Sequence, residues 1–169
     1  MATFKEIDDF FDKLTESFFK EQVPKIISEN AIIFFKDRFK TKEWDGEPWP
    51  PQKIKRGQLM VKSSALVNSI KEKSRSSERV IISAGSDKIV YARIHNEGGE
   101  IPITPKMRKF FWAMHYNEAG DDKKANTPWK GLALTRKKTI TIPMRRFMGP
   151  SPKLNDFLFD ALRNAFNKL

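Results

Sequence analysis

The run Thr139-Ile140-Thr141-Ile142-Pro143-Met144-Arg145-Arg146-Phe147-Met148-Gly149-Pro150-Ser151-Pro152-Lys153-Leu154 holds both kinds of regular structure in one short stretch. Thr139 to Ile142 alternates polar and apolar residues, the period of a half-buried strand. Pro143 has no N–H for a sheet ladder, so it ends the strand or places it at an edge. Gly149-Pro150 turns the chain, Ser151 offers an N-cap oxygen, and Pro152 brings a fixed φ to the first helical position. Leu154, Phe157, Leu158, Ala161, Leu162, Ala165 and Phe166 then recur at helical spacing as one apolar face. A strand that leads directly into a terminal helix predicts an α+β fold.

Working outward, the N-terminus is also helical in pattern. Phe4, Ile7, Phe11, Leu14 and Phe18 repeat every three or four residues, with Thr3 as the expected N-cap and Glu6 at the capping-box position. A second helix is expected from about Val23 to Phe39, with Pro24 in its first turn. Ile26, Ile27, Ile33, Phe34 and Phe35 make its apolar arc wide, which implies burial on more than one side, in the core or against another subunit. Three prolines and a glycine in Trp44-Asp45-Gly46-Glu47-Pro48-Trp49-Pro50-Pro51 forbid a continued helix or a central strand. The two tryptophans there are expected to fold back onto the body or to anchor a partner. A short helix with Leu59, Leu66 and Ile70 on one face follows, with Ser63 or Ser64 as its N-cap. Arg79 to Ser83 reads as a strand, the Gly85-Ser86-Asp87 turn ends it, and Lys88 to Ala92 reads as its hairpin partner. Met107 to Tyr116 fits a helix, and Gly120 to Lys124 an exposed loop. The expected architecture is a single α+β domain over residues 1–169. Its small antiparallel sheet is packed by N-terminal helices and a C-terminal helix, and an insertion occupies about residues 100–137.

With 169 residues, 39% hydrophobic and 31% charged, the chain has the composition of a folded soluble protein. The absence of cysteine excludes a disulfide framework, a thiolate zinc site and a cysteine nucleophile. No apolar run approaches the roughly 18 residues of a spanning helix, so no membrane contact is expected. Acidic residues crowd the N-terminus, which is not the pattern of a secretory signal. Charge is the unusual feature: net +11, with residues 1–40 at −1 and residues 100–150 at +7. Such a field favours a polyanion or an acidic protein surface as neighbour. Lys123, Lys124, Arg136, Lys137, Lys138 and Arg146 are the candidate contacts. The aromatic residues Phe110, Phe111, Trp112 and Trp129 interleave with Lys106, Arg108, Lys109 and Lys130, which keeps a basic nucleic-acid-binding module as the rival reading.

Catalytic chemistry finds little support. His95 sits in Ile94-His95-Asn96-Glu97-Gly98-Gly99, a run that invites comparison with metal-dependent nucleases, but a divalent site needs further ligands from separate elements. A hydrogen-bonded structural histidine is the better expectation. His115 has no ligand-spaced partner. Gly98-Gly99 is expected to supply positive φ at a turn rather than an anion nest. Neither a Gly-x-x-x-x-Gly-Lys nor a Gly-x-Ser-x-Gly pattern occurs. No catalytic residue, metal ligand or cofactor is expected, and the protein is read as a non-enzyme.

Four stretches, taken in order, resemble the virion morphogenesis family of tailed bacteriophages. Arg38-Phe39 with Trp44-Asp45-Gly46-Glu47-Pro48-Trp49 is similar to that family's Arg-Phe … Asp-Gly-x-Pro-Trp. Leu59 to Ile70, centred on Leu66, is similar to Ile-Leu-x-x-Thr-Gly-x-Leu-x-x-Ser-Ile. Tyr91-Ala92-Arg93-Ile94-His95-Asn96-Glu97-Gly98-Gly99 is similar to Tyr-Ala-x-Ile-His-x-x-Gly-Gly, and Ile142-Pro143-Met144-Arg145-Arg146-Phe147-Met148-Gly149 to Ile-Pro-x-Arg-x-Phe-x-Gly. The resemblance covers roughly residues 25–99 and 138–168, and two features depart from it. Ser64 stands where the family has glycine, and residues 100–137 have no counterpart. It implies a structural protein of tail completion or head–tail joining, found in the virion and in the host cytoplasm during assembly. The partners it implies are other tail or connector proteins, further copies in a ring, and non-specific contact with DNA. The motif residues read as scaffold: Tyr91 and His95 share a helical face and could hydrogen-bond, and Arg145 and Phe147 share one side of an extended segment with Arg146 on the other. The apolar arc of the second helix and the Trp44/Trp49 loop are the candidate contact surfaces.

Overall fold

A computed structural model describes residues 4–52, 59–61, 63–120, 122 and 125–168. Helix α1 (Phe4–Leu14) continues through a π-helical turn, Thr15–Gln22, into α2 (Val23–Thr41) without a break. The two expected helices are therefore one rod of about 55 Å at 1.5 Å per residue. Pro24 explains the π turn. In an α-helix its ring would press on the carbonyl of Lys20; here the Val23 N–H reaches back five residues to Phe18 O, and the wider turn makes room. Thr3, the expected N-cap, lies outside the described residues. Lys42 ends the rod in a left-handed conformation, its N–H bonded to Arg38 O at 2.8 Å.

Strands β1 (Glu43–Trp44) and β2 (Glu47–Pro48) form a minimal hairpin where a loop is expected. Asp45 and Gly46 at its tip both have positive φ, 51° and 94°, the pattern of a tight two-residue turn. Helix α3 is a single turn, Ala65–Asn68. Ser64 precedes it but makes no side-chain cap bond, because its φ of 55° turns the hydroxyl away from the helix N–H groups.

The hairpin expectation for Arg79–Ser83 needs correcting. Strand β4 (Val80–Ser83) pairs antiparallel with the upstream β3 (Lys71–Arg75), not with residues 88–92. Gly85 at φ 95° and the bond from Ile89 N–H to Ser86 O fold the chain into a turn after β4. Residues 92–97 then form helix α4 (Ala92–Glu97), which puts Asn96 within hydrogen-bond reach of residues 147–148 and Ala92, one turn back, in the same core cluster as Phe147. Strand β3 is nearly all charged and escapes pattern reading; only Glu72 turns inward, accepting a hydrogen bond from the buried Ser28 hydroxyl.

Strand β5 (Gly99–Pro102) pairs antiparallel with β6 (Thr139–Ile142) in register Gly99↔Ile142 to Pro102↔Thr139. Between them, helices α5 (Pro105–Ala119) and α6 (Pro128–Leu134) pack on each other, capped by the hydroxyls of Thr104 and Thr127. Only α5 was legible as a helix in the sequence. The terminal helix α7 (Pro152–Phe166) follows, capped as expected by Ser151, which accepts from Leu154 N–H at 3.1 Å.

The architecture is α+β, with three two-stranded antiparallel sheets among the described residues in place of one small sheet. The core gathers Ala31, Phe34, Phe35 and Phe39 of α2 with Trp49, Leu66, Ile70, Ala92, Phe147 and Leu154. Helix α2 meets α7 on one side and β3–β4 on another, which accounts for its wide apolar arc. Trp49, Phe34 and Phe35 are buried in this packing and Ile26 and Ile27 half-buried, whereas Ile33 stays 57% exposed.

Candidate functional site

The family-like segments, distant in sequence, converge on one junction. Trp49 donates its indole N–H to Arg146 O at 2.7 Å, and its ring stands edge-on to Phe39 at 5.5 Å. Phe147, 1% exposed, lies 5.0 Å from the same Phe39 ring. Arg145 is 6% exposed and donates through Nε to Pro50 O at 2.9 Å and through Nη2 to Pro51 O at 3.0 Å, while its N–H reaches His95 O at 2.8 Å. A guanidinium satisfied by backbone carbonyls fixes a loop rather than awaiting a ligand. Burial lowers the Arg145 pKa, consistent with a cation held by dipoles alone. Arg146 points the other way, its guanidinium 6.0 Å from the Trp44 ring centre, a cation–π contact. Trp44 in turn stacks on Phe35 at 6.4 Å.

Asn96 is the centre of the junction and was not singled out in the sequence. Its Oδ1 accepts from the N–H groups of Phe147 and Met148 at 2.9 and 3.0 Å, and its Nδ2 donates to Met148 O at 3.0 Å. It thereby acts as a strand edge for an irregular segment. The Ser151 hydroxyl donates to Asp45, tying the β1–β2 hairpin to the start of α7. Gly98, φ 73°, lies so close to the 142–147 segment that a Cβ there would sit 2.9 Å from Met144 N. Gly98 and Gly99 both take positive φ, 73° and 148°, as expected, and the close approach falls at Gly98. Pro143 ends β6, and Gly149, φ 149°, turns the chain toward α7.

Tyr91 and His95 do share a face, but as an edge-on ring contact at 5.8 Å rather than a hydrogen bond. His95 Nδ1 is buried and has no hydrogen-bond partner among the described residues, where a hydrogen-bonded histidine is expected. Burial, and secondarily Arg145, lowers its pKa and favours the neutral imidazole. Met60, Ser63, Ser64, Leu66 and Tyr91 surround it in a hollow of about 320 Å³. No group of three or more metal-capable side chains occurs among the described residues.

The basic candidates are not brought together. Arg136, Lys137 and Lys138 are exposed at the start of β6, whereas Arg146 lies beyond its other end. Lys123 and Lys124 lie outside the described residues. Of the four expected aromatics, Phe111 is buried and stacks on Trp129 at 6.1 Å, Trp112 is half-buried and stacks on the exposed Tyr116 at 5.8 Å, and Phe110 stays exposed. Arg108, expected among the basic residues of the rival nucleic-acid reading, instead donates to the carbonyls of Ala133 at 2.9 Å and Thr135 at 2.8 Å, closing the C-terminus of α6.

These features make an α+β module in which Trp49, Asn96 and Arg145 hydrogen-bond backbone segments distant in sequence. The chain belongs to the phage virion morphogenesis family, whose model matches residues 3–167. Its role is in phage virion assembly, in association with the virion. No curated protein and no solved structure matches the chain. No helix among the described residues is long and apolar enough to cross a membrane.

Proposed function

We propose that this protein acts structurally, without catalysis, in tail completion or head–tail joining. It would assemble into a ring of like subunits in contact with other tail or connector proteins. The observation that carries the reading is the family match over nearly the whole chain, joined to a junction whose side chains are spent on backbone positioning. On this reading residues 1–169 form one domain, and residues 100–137 are an insertion borne on the β5–β6 ribbon. The family-like motif residues from Trp44 to Gly149 are shape-determining, and Arg136, Lys137 and Lys138 face DNA non-specifically. The protein collects in the host cytoplasm before entering the virion. A dedicated nucleic-acid module is the weaker reading, because Phe111, Trp112 and Trp129 are engaged within the α5–α6 lobe and do not form an open stacking platform.

Electron microscopy of particles from a lysate with this gene disrupted is the test. Separate filled heads and tails, or tails of uncontrolled length, are the expected outcome. Normal, joined, infectious particles would overturn the proposal, and tight sequence-selective DNA binding by the purified protein would favour the rival.

A further inference from the structure

Helix α1 carries two basic and four acidic residues, a net charge of −2. Phe4, Ile7 and Phe11 share one of its faces at spacings of three and four, and all three are exposed, Phe4 to 90%. Asp8, one turn beyond Phe4, and Asp12, one turn beyond Asp8, border that face. Helix α5 has the opposite sign, with three basic residues and one acidic, a net charge of +2. Lys106, Lys109, Phe110, Ala113 and Tyr116 all lie exposed on its outer side, within successive turns. Phe110 is 54% and Tyr116 61% exposed although each touches a ring of its own lobe, and the small Ala113 lies between them. The side chains of Asp8, Asp12, Lys106 and Lys109 make no hydrogen bond or ion pair among the described residues. Each face therefore holds charge that the single chain leaves unpaired, beside exposed apolar groups, and the two signs are opposite.

We propose that α1 of one copy packs along the outer face of α5 of a second copy, with Asp8 and Asp12 against Lys106 and Lys109. The proposal rests on the ring-forming part of the reading above and names its interface. Two different, complementary patches on one chain are what a head-to-tail contact requires, and each copy then offers one patch to each neighbour as the ring closes. Opposite charges across the contact set partner and register. The apolar parts match in reach as well: Phe4 to Phe11 covers about 10 Å of helix and Phe110 to Tyr116 about 9 Å. Duplex DNA is the less favoured occupant of α5, because a phosphate backbone would pair the lysines but leave Phe110 and Tyr116 uncovered, whereas the α1 face takes both out of water.

The chain has no cysteine, which makes the test direct. Ile7→Cys and Ala113→Cys are made separately in the full chain, then oxidised alone and mixed at low salt. The expected result is a covalent species of twice 19.6 kDa, several-fold more abundant in the mixture than with either variant alone and falling as salt rises. Adding Lys106→Glu and Lys109→Glu to the Ala113→Cys chain should lower the yield several-fold. Adding Asp8→Lys and Asp12→Lys to its Ile7→Cys partner should then restore it, which a chance collision would not do. Absence of a cross-link in the mixture, equal cross-linking by Ile7→Cys alone, or a yield that the charge exchange does not restore would overturn the proposal. Loss of duplex DNA retention with Lys106→Glu and Lys109→Glu at unchanged cross-link yield would give the α5 face to a polyanion and overturn it too. No cross-link together with a tail defect on gene disruption refutes this docking while leaving the assembly role standing. A cross-link together with normal particles does the reverse.

Discussion

Replacing Asn96 by alanine tests the argument that one side chain holds the junction. The substitution removes three hydrogen bonds, to Phe147 N–H, Met148 N–H and Met148 O, at 2.9–3.0 Å. It leaves two N–H groups and one carbonyl beside Phe147, which is 1% exposed, where water does not readily replace the lost amide. At about 1 kcal/mol net for each bond, with some added desolvation cost, Asn96→Ala should lose about 3 kcal/mol of stability. For a chain of this size that corresponds to a fall of roughly 6–12 °C in Tm. Urea unfolding followed by tryptophan fluorescence suits the question, because Trp49 bonds to Arg146 in the segment that Asn96 holds. Glu97→Ala is the matched control: its exposed pair with Arg93 at 2.8 Å is screened by solvent, so its loss should leave stability within a narrow margin of the parent protein. Asn96→Ala within that same margin of the parent protein, or no worse than Glu97→Ala, would refute the reasoning.

Three further outcomes are expected. Ser64 adopts φ 55° without a cap bond, so Ser64→Gly should relieve left-handed strain and raise stability by up to about 1 kcal/mol, read as a higher urea midpoint; a lower midpoint would contradict this. Burial and Arg145 hold the folded His95 below the ordinary imidazole range, so the unfolded chain takes up the proton first. Stability should be full above about pH 6.5 and decline as pH falls through the lowered folded value, and His95→Gln should flatten that decline; parallel pH profiles would count against it. Arg108→Ala should speed amide hydrogen exchange in α6 while leaving α2 protected, because its bonds to Ala133 O and Thr135 O close α6 alone; loss of protection in both would show a wider role.

Periodicity by itself determined α1, α2, α5 and α7. Leu154 to Phe166 and the Ser151-Pro152 start carry α7 with its cap, and Phe4 to Phe18 carry α1. Alternation determined β6, and the ordered motifs determined the family. These are local properties, fixed by a side chain's spacing from its near neighbours. Tertiary structure decided what is non-local. Strand β4 pairs with the charged β3 instead of residues 88–92, and helix α4 brings Asn96 to residues 147–148 and Ala92 into the core cluster of Phe147. The joining of α1 to α2 depends on a π turn that relieves one proline. Nothing in the spacing of Asn96 or Arg108 marks the bonds they make, because their partners lie 51 and 25 residues away in sequence. Trp49, by composition an equally good partner-binding residue, became core only because Phe39, Phe147 and Arg146 O were brought to it, since a buried indole needs both an apolar wall and an acceptor for its N–H.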